Sequence, residues 1–368
     1  MPATPTLDHL RRYAIARSLF APTTLPRAIA KLGFVQLDPI RAPARAQDLT
    51  LRHRVADYRA GDLEARYPRL QVEEDFFVNY GILPRTTQRL MHPRTARTVW
   101  PRARWVQAQA VLEFVQGRGV VHPREVDAAF EHGVSKNWFG GNSRASTQLL
   151  DGMHYRGLLR VARRESGVRL YAPQGAHAAE GDADPDVALD TLVDVAVAKY
   201  APLPAATLSR LVMWLGTLAA PQWRERRRAA LARAKARLPQ ATVDGCRWYW
   251  PAGDNPGSRR YARDDAIDDQ LRLLAPFDPV VWDRERFERF WHWAYRFEAY
   301  TPAPKRIRGY YALPLLWRGQ VIGWANAAVR DGRLQVQPGY VSGHAPRDRA
   351  FKSALQEEQA RLGRFLGL

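Results

Sequence analysis

Cysteine is almost absent from this chain of 368 residues, which contains only Cys246. A single thiol cannot close a disulfide within the chain, and it cannot supply a four-cysteine zinc site or an iron–sulfur cluster. We therefore expect a protein that uses no metal and no other cofactor.

Long apolar runs are also missing. No stretch approaches the length of a membrane span, and charged residues interrupt the N-terminal stretch MPATPTLDHLRRYAIARSLF, which lacks the apolar core of a signal peptide. We expect a cytoplasmic protein with no membrane partner. With 46% hydrophobic residues, the chain can still bury a core, and its length is more typical of two or three small domains than of one.

Acidic residues are in deficit. The chain has 37 Asp and Glu against 56 Lys and Arg, a formal net charge of +19 and a sequence pI of about 10.5. Such a charge attracts polyanions, and nucleic acid is the first partner to consider. Only six of the basic residues are lysines, which a GC-rich genome would also produce. That bias explains arginine in place of lysine, but it does not explain the excess of basic over acidic residues.

Hydrophobic spacing and turn signals predict a repeated order of elements. Residues 1–101 begin with two predicted helices and an extended segment, which suits a small helical or winged-helix domain. Residues 102–173 and 185–253 each predict three helices followed by a hairpin, the outline of a winged helix. A linker, QGAHAAEGDADPD, separates them. The predicted fold class is α+β and mainly helical, with tandem winged-helix domains and a β-rich C-terminal region.

That C-terminal region spans residues 268–368. It predicts three short strands that turn at Arg318-Gly319 and Asp331-Gly332, and an amphipathic closing helix. Its aromatic side chains fit either a packed core or base stacking, and the core is the commoner arrangement. They include Trp291, Trp293, Tyr295, Phe297 and Tyr300.

The winged helix at 102–173 predicts specific DNA contacts. Its third helix, SRASTQLLDGMHYRGLL, would enter a DNA groove and carries Arg144 and Arg156. The following hairpin, turning at Ser166-Gly167, would be the wing. Its phosphate-contacting residues would be Arg163, Arg164 and Arg169. A solvated face of an ordinary helical domain is the alternative interpretation.

The stretch GFVQLDPI places an amide and a carboxylate, Gln36 and Asp38, in an otherwise apolar run. Pro39 disfavours helix at the residue before it, so we expect an extended segment. Side chains alternate along an extended chain, which puts Gln36 and Asp38 on one face, about 7 Å apart at their Cα atoms. Val35 and Leu37 would anchor the other face.

Such a pair can hold and activate a water molecule, because the carboxylate accepts a proton or stabilises positive charge while the amide orients the water. On a basic DNA-binding scaffold, the reaction that needs this is hydrolysis of an N-glycosidic bond. As that bond breaks and the base leaves, the deoxyribose gains oxocarbenium character. A base alkylated at a ring nitrogen leaves as a neutral molecule, so one carboxylate suffices. The motif is too short to be a signature, and on spacing alone a helix cap or a turn is the better explanation.

Longer stretches carry a resemblance. GFVQLDPI is followed by RAPARAQDLTLRHRV and FFVNYGILPR, and the string LLAPFDPVVWDRERFERFWHWAYRFEAYTPAPKRIRGYYALPLLW contains PFD, Y-R-F-E, Y-T-P and K-R elements. Together they resemble the AlkZ/YcaQ family of winged-helix DNA glycosylases over most of the chain, least in residues 174–270. The resemblance implies tandem winged-helix domains that form a concave DNA-binding surface.

The Gln-x-Asp motif is similar to that of the YcaQ-like branch, whereas the AlkZ-like branch has a second glutamine. This implies monofunctional excision of N-alkylpurines, especially N7-alkylguanine, and extends to unhooking of interstrand crosslinks. Asp38 would stabilise the oxocarbenium ion and activate water, and Gln36 would position the water or the sugar. Members of the family often carry a histidine shortly before the Leu-Pro pair, where this chain has Asn79, the candidate replacement in the lesion pocket.

Two basic clusters would hold DNA phosphates, with solvated surface as the alternative. They are Arg41 with Arg45, and Lys305 with Arg306 and Arg308. The expected partner is double-stranded DNA with alkylated or crosslinked bases, bound by a monomer in a bacterial nucleoid. One competing hypothesis is a non-catalytic winged-helix regulator or lesion sensor, which explains the charge and the modules equally well. Another is a regulator with a small-molecule pocket in the aromatic C-terminal region.

Overall fold

The computed structural model describes residues 4–96, 98–130, 134–136, 142–175, 184–263 and 267–368. The fold mixes α and β structure, 47% helical and 19% strand, with small antiparallel sheets. This confirms a mixed, mainly helical class. Over the described ranges, no helix is both long enough and apolar enough to cross a membrane.

The elements are numbered in chain order. The described helices are α1 (Leu7–Ser18), α2 (Leu25–Leu32), α3 (Ala46–Leu51), α4 (Asp62–Arg66), α5 (Arg85–Arg89), α6 (Arg102–Arg118), α7 (Pro123–Phe130), α8 (Ala145–Tyr155), α9 (Pro185–Tyr200), α10 (Ala205–Trp214), α11 (Arg227–Arg237), α12 (Arg259–Ala262), α13 (Pro279–Trp282), α14 (Arg284–Trp291) and α15 (Arg349–Leu366). The described strands are β1 (Val35–Gln36), β2 (Val72–Phe76), β3 (Tyr80–Pro84), β4 (Val134–Lys136), β5 (Asn142–Arg144), β6 (Leu159–Glu165), β7 (Val168–Pro173), β8 (Leu203–Pro204), β9 (Gln240–Val243), β10 (Cys246–Tyr249), β11 (Arg272–Leu273), β12 (Leu313–Trp317), β13 (Gln320–Arg330) and β14 (Arg333–Tyr340).

The chain forms two compact units, each built from separate stretches of sequence. The first comprises Met1–Leu63, Asp194–Arg210 and Lys235–Leu368. The second comprises Glu64–Val193 and Leu211–Ala234. The predicted domain boundaries, 1–101, 102–173, 185–253 and 268–368, are drawn around winged-helix patterns in the sequence. They remain a prediction.

The core of the first unit joins α1 to the aromatic C-terminal segment. Leu10 and Tyr13 of α1 belong to the same buried cluster as Phe287 and Phe290 of α14. Trp248 of β10 stacks on Phe290 with ring centroids 5.4 Å apart. The sequence allowed the C-terminal aromatic side chains to be either core residues or base-stacking residues, and most of them are core residues. The buried ones are Trp291, Trp293 and Tyr295.

The C-terminal sheet has the order β11-β12-β13-β14, with antiparallel neighbours. Its two hairpins turn at Arg318-Gly319 and Asp331-Gly332, where all four residues have positive φ, so both predicted turns are confirmed. The strands β13 and β14 approach so closely that a Cβ at Gly323 would lie 2.0 Å from the backbone oxygen of Gly339. Only glycine fits there.

In the second unit, α6, α7 and α8 precede the hairpin β6–β7, which turns at Ser166-Gly167 as predicted. The third helix is shorter than predicted, and the assignment of Arg144 and Arg156 to it is wrong. Arg144 ends strand β5, where it pairs with Val134. Arg156 lies beyond α8, because Gly157 takes φ +77° and the helix stops.

The order predicted for residues 185–253 is also observed. Helices α9, α10 and α11 precede the hairpin β9–β10. Asp244 and Gly245 have φ of 47° and 69°, which is the conformation that a tight two-residue hairpin turn requires. The order of elements is thus correct, and their identity as winged helices stays a prediction.

Candidate functional site

Local structure brings the Gln-x-Asp motif out of α2. Gly33 ends that helix with φ +66°, a left-handed conformation that suits glycine. Phe34 and Val35 are buried and anchor the segment, and the buried ammonium of Lys199 donates to the Phe34 carbonyl oxygen. Val35 and Gln36 form the short strand β1, and residues 37–40 follow it outside any strand or helix.

Asp38 is held by hydrogen bonds at two of its atoms. The Ile40 backbone N–H donates to Asp38 Oδ1 at 2.9 Å, and the Asp38 backbone N–H donates to Gln47 Oε1 at 3.2 Å. The first contact is the turn that the alternative interpretation of the motif expects. It occupies one carboxylate oxygen and leaves Oδ2 without a hydrogen bond to any described residue.

The carboxylate of Asp38 is in a place that disfavours its charge. The residue is 9% exposed, and the described part of the chain offers it no ion pair. Burial raises the pKa of Asp38, and the Ile40 N–H only partly opposes that effect. A buried carboxylate without a cation is costly unless function supplies the positive charge.

Gln36 is buried as well, at 6% exposure. Its Oε1 has no hydrogen-bond partner among the described residues. The prediction of one polar face and one anchoring face is therefore only partly right, since both Gln36 and Val35 are covered. The motif thus places an amide oxygen two residues from a carboxylate oxygen, and neither has a hydrogen-bond partner in the part of the chain that the structure describes.

Two tyrosines from the C-terminal segment accompany Asp38. Burial raises the pKa of both Tyr300 and Tyr311, and in each case the Asp38 carboxylate is the next largest cause. Both rings meet Phe297 edge-on, with centroids 5.9 Å and 5.3 Å away. Tyr311 is 2% exposed, whereas Tyr300 is 80% exposed.

Sequence reasoning missed part of this group. Gln47 sits on α3, where every residue from Ala46 to Leu51 is buried, and a buried glutamine nine residues from an aspartate gives no local signal. Tyr311 is one of two adjacent tyrosines in GYYALP, a pattern that also fits a strand. Tyr300 was identified as a possible stacking residue, and its exposure separates it from the buried aromatics.

The two predicted basic clusters, Arg41 with Arg45 and Lys305 with Arg306 and Arg308, both lie in the first unit. Arg41 and Lys305 are exposed, whereas Arg45, Arg306 and Arg308 are half-buried. Arg306 donates to the Thr301 carbonyl at 2.7 Å and lies over the Tyr310 ring. Arg308 donates to the Ala294 carbonyl at 2.8 Å. Arg306 and Arg308 are thus already hydrogen-bonded within the protein. Contact of the five basic residues with DNA remains a prediction.

In the second unit, the predicted DNA-contacting arginines have partners within the protein. Arg156 donates to the Thr98 carbonyl at 2.7 Å and covers the Trp100 ring. Arg163 pairs with Glu165 at 2.9 Å, and Arg164 with Glu74 at 2.7 Å. The side chain of Arg144 lies outside what the structure describes. These contacts compete with phosphate, so the DNA roles of these arginines remain predictions.

Asn79 occupies the turn between β2 and β3 in the second unit. It is exposed, and its Oδ1 accepts a hydrogen bond from the Tyr80 backbone N–H at 2.8 Å. A polar side chain is therefore available at the position where the family resemblance implies histidine. A role in the lesion pocket stays a prediction.

Across the described residues, no group of three or more His, Cys, Asp or Glu side chains could hold a metal ion. The side chains that the candidate site offers are those of Asp38, Gln36 and the two tyrosines. These side chains can stabilise a cation, orient a water molecule and accept its proton.

Known proteins share sequence and fold with this chain. Residues 29–365 match the family described as DNA glycosylase AlkZ-like. Among solved structures, the chain is similar to the DNA glycosylase AlkZ of Streptomyces sahachiroi, with a TM-score of 0.63 and 16% sequence identity over 100% of this chain and 98% of that chain. At that identity the similarity shows a shared fold. The family match, which covers nearly the whole chain, decides for an enzyme over a non-catalytic regulator: this chain is a DNA glycosylase and belongs to the AlkZ-like family.

Proposed function

We propose that this enzyme removes N-alkylated purines, N7-alkylguanine above all, from double-stranded DNA by hydrolysing the N-glycosidic bond without cutting the strand. The observation that carries the proposal is the buried Asp38 carboxylate, which has no cationic partner among the described residues. A sugar that becomes cationic in the transition state supplies the missing charge. The carboxylate would then bind the transition state more tightly than the substrate.

The reaction balances with one carboxylate. The bond between C1′ and N9 breaks with both electrons passing to the purine, which neutralises the positive charge left by alkylation. The water oxygen forms a bond to C1′, and the proton that it loses passes to Asp38 and then to solvent. An unmodified guanine would leave as an anion and would need an acid to protonate it, so a mechanism that uses Asp38 as its one carboxylate favours alkylated bases.

Gln36 would orient the attacking water or the sugar. Its buried Oε1 is an acceptor without a donor among the described residues, and an O–H of the attacking water would supply that donor. An amide suits this role because it orients a neighbour without competing with Asp38 for the proton.

DNA would be bound by tandem winged helices within residues 1–101, 102–173 and 185–253. The observed order of three helices and a hairpin in the last two supports this, as does the net charge of +19. Arg41 and Lys305 are the exposed cations for phosphates near the site. The motif and both tyrosines come from one chain, so a monomer suffices.

Crosslinked purines are a further proposed substrate. A base tied to the opposite strand cannot be fully extruded, so an enzyme that unhooks it has to reach the sugar from an open site. The 80% exposure of Tyr300, next to Asp38, supports such access.

Asn79 would affect which lesions are accepted. Replacing Asn79 with His restores the residue that the family resemblance implies. Rates of release measured on N7-methylguanine and on bulkier N7 adducts should then shift relative to each other. Identical preferences in the two proteins would contradict the proposal.

The test is base release from a duplex containing one N7-methylguanine. We expect free N7-methylguanine by mass spectrometry, at a rate above that of the same duplex without protein, and strand cleavage only after alkali. A duplex with unmodified guanine is the control and should release nothing. Absence of release from every N7-alkylated and crosslinked duplex would contradict the proposed function.

A further inference from the structure

Tyr311 has a buried hydroxyl group with nothing to bond to. The residue precedes β12 and is 2% exposed, and its hydroxyl oxygen has no hydrogen-bond partner among the described residues. Buried hydroxyls are nearly always paired, because leaving one unpaired lowers the stability of the fold. An unpaired hydroxyl beside the candidate site is a donor for a partner that arrives in function.

Its neighbour Tyr295 shows that packing in this cluster does not prevent a tyrosine hydroxyl from making a hydrogen bond. Tyr295 is equally buried, and its hydroxyl donates to the Ala312 carbonyl oxygen at 2.7 Å. The same cluster can therefore satisfy a tyrosine hydroxyl. Tyr311 differs because its hydroxyl is left for another acceptor.

Asp38 is the acceptor that the surroundings offer. The groups that act on the ionisation of Tyr311 are, after burial, Asp38, Tyr295, Arg284 and Tyr300. Burial and then the Asp38 charge raise the pKa of Tyr311, so the hydroxyl keeps its proton and remains a donor. Arg284 donates to two backbone carbonyls. Asp38 is the one carboxylate among these four groups, and its Oδ2 makes no hydrogen bond to a described residue.

We propose that Tyr311 is a positioning residue for the catalytic carboxylate, and that its hydroxyl donates to the free oxygen of Asp38 when substrate is bound. This rests on the proposed role of Asp38. Catalytic hydrogen bonds are often long in the free enzyme and tighten in the complex. With Oδ1 held by the Ile40 N–H and Oδ2 by Tyr311, the carboxylate is fixed in orientation and kept ionised as the sugar becomes cationic.

Tyr311→Phe tests this, since it removes the hydroxyl and keeps the ring. We expect single-turnover base release to fall roughly 10- to 100-fold, as for the loss of one hydrogen bond to a charged group. DNA affinity should stay within about twofold. The acidic limb of the rate–pH profile should move to higher pH, because a donor that favours the ionised carboxylate is gone. The melting temperature should be unchanged or higher.

Tyr295→Phe is the matched control. It leaves the Ala312 carbonyl without its donor, so it should lower the melting temperature while base release and the acidic limb stay native. In an Asp38→Asn background, Tyr311→Phe should change the residual rate by no more than about twofold, because no charge remains to position.

The inference is overturned if Tyr311→Phe releases base at the native rate with an unshifted acidic limb. It is also overturned if Tyr311→Phe loses as much melting temperature as Tyr295→Phe, which would mark a structural hydroxyl. Native protein that releases no base refutes the proposed function and this inference together. Native release with an unaffected Tyr311→Phe variant refutes the inference alone.

Discussion

At the scale of the residue, the site is a negative charge kept where it is disfavoured. Asp38 is buried, and the described residues provide it with a turn hydrogen bond but no cation. The turn hydrogen bond from the Ile40 N–H explains why the Asp38 side chain is fixed. The interpretation of the motif as a turn is therefore correct for Oδ1. It does not explain why an ionisable group is used, since asparagine would make the same turn.

The first prediction concerns pH. Burial raises the pKa of Asp38, and the proposed chemistry needs the ionised form. As pH falls from neutral, base release should therefore decline at a pH above about 3.9, where an ordinary aspartate titrates. Single-turnover rates over that range, corrected for depurination without enzyme, measure this. A rate that stays flat down to the ordinary aspartate pKa would contradict it.

The second prediction concerns stability. Because the pKa of Asp38 is raised in the folded state, the ionised side chain lowers the free energy of unfolding at neutral pH, and this cost disappears as pH falls from the folded pKa to the ordinary aspartate pKa. Asp38→Asn keeps the acceptor for Ile40. Its melting temperature at pH 7 should equal or exceed the native value, and the difference should shrink in acid.

Asp48→Asn is the control for that measurement. Asp48 is also a buried aspartate, but it accepts a hydrogen bond from the Tyr58 hydroxyl at 2.6 Å. Weakening this charged hydrogen bond should lower the melting temperature. An equal loss in Asp38→Asn would show that Asp38 is there for stability.

At the scale of the element, sequence patterns predicted the turns that depend only on neighbouring residues. The Ser166-Gly167 and Asp244-Gly245 turns could be predicted because those residues adopt the positive φ that a tight hairpin needs. The helix end at Gly157 was missed because a hydrophobic pattern continues past it in MHYRGLL. Nothing local predicted that Tyr311 meets Asp38, since the two are far apart in sequence and only the folded first unit brings them together.

The third prediction follows from one such element, the segment that carries Tyr300 past the site. An exposed ring beside the carboxylate can stack on a base, and removing such stacking costs roughly 1–3 kcal/mol. Tyr300→Ala should therefore lower kcat/KM about 5- to 150-fold, whereas Tyr300→Phe should retain it. Val341→Ala, a comparable change at another exposed position, should have no effect. Equal activity of all three variants would exclude stacking by Tyr300.

At the scale of the whole molecule, ion pairs within the protein occupy part of the 56 Lys and Arg side chains, so not all of them are available to DNA. Arg54 is fully buried against Asp278 at 2.8 Å, and Arg164 is engaged by Glu74. Composition predicted a polyanion partner, and the family match bears this out for DNA. It could not predict which arginines are free, because ion pairing depends on the fold.

The fourth prediction is a steep salt dependence of DNA binding. Each phosphate neutralised releases condensed counterions, so the logarithm of the affinity should fall linearly with the logarithm of salt concentration, with a slope of about −0.9 per contact. Arg41→Ala and Lys305→Ala should each reduce the slope by about one. Titrations of undamaged duplex at several salt concentrations measure it, and affinity independent of salt would exclude the basic surface as the DNA-binding face.

The most direct test of Asp38 as the catalytic charge compares native protein with Asp38→Asn on one N7-methylguanine duplex, with single-turnover release and DNA affinity measured on the same preparations. Loss of an electrostatic stabiliser of the transition state should slow release by about 100-fold or more while affinity changes less than about threefold. Release at the native rate, or release and affinity lost in equal proportion, would contradict the assignment of the chemistry to Asp38.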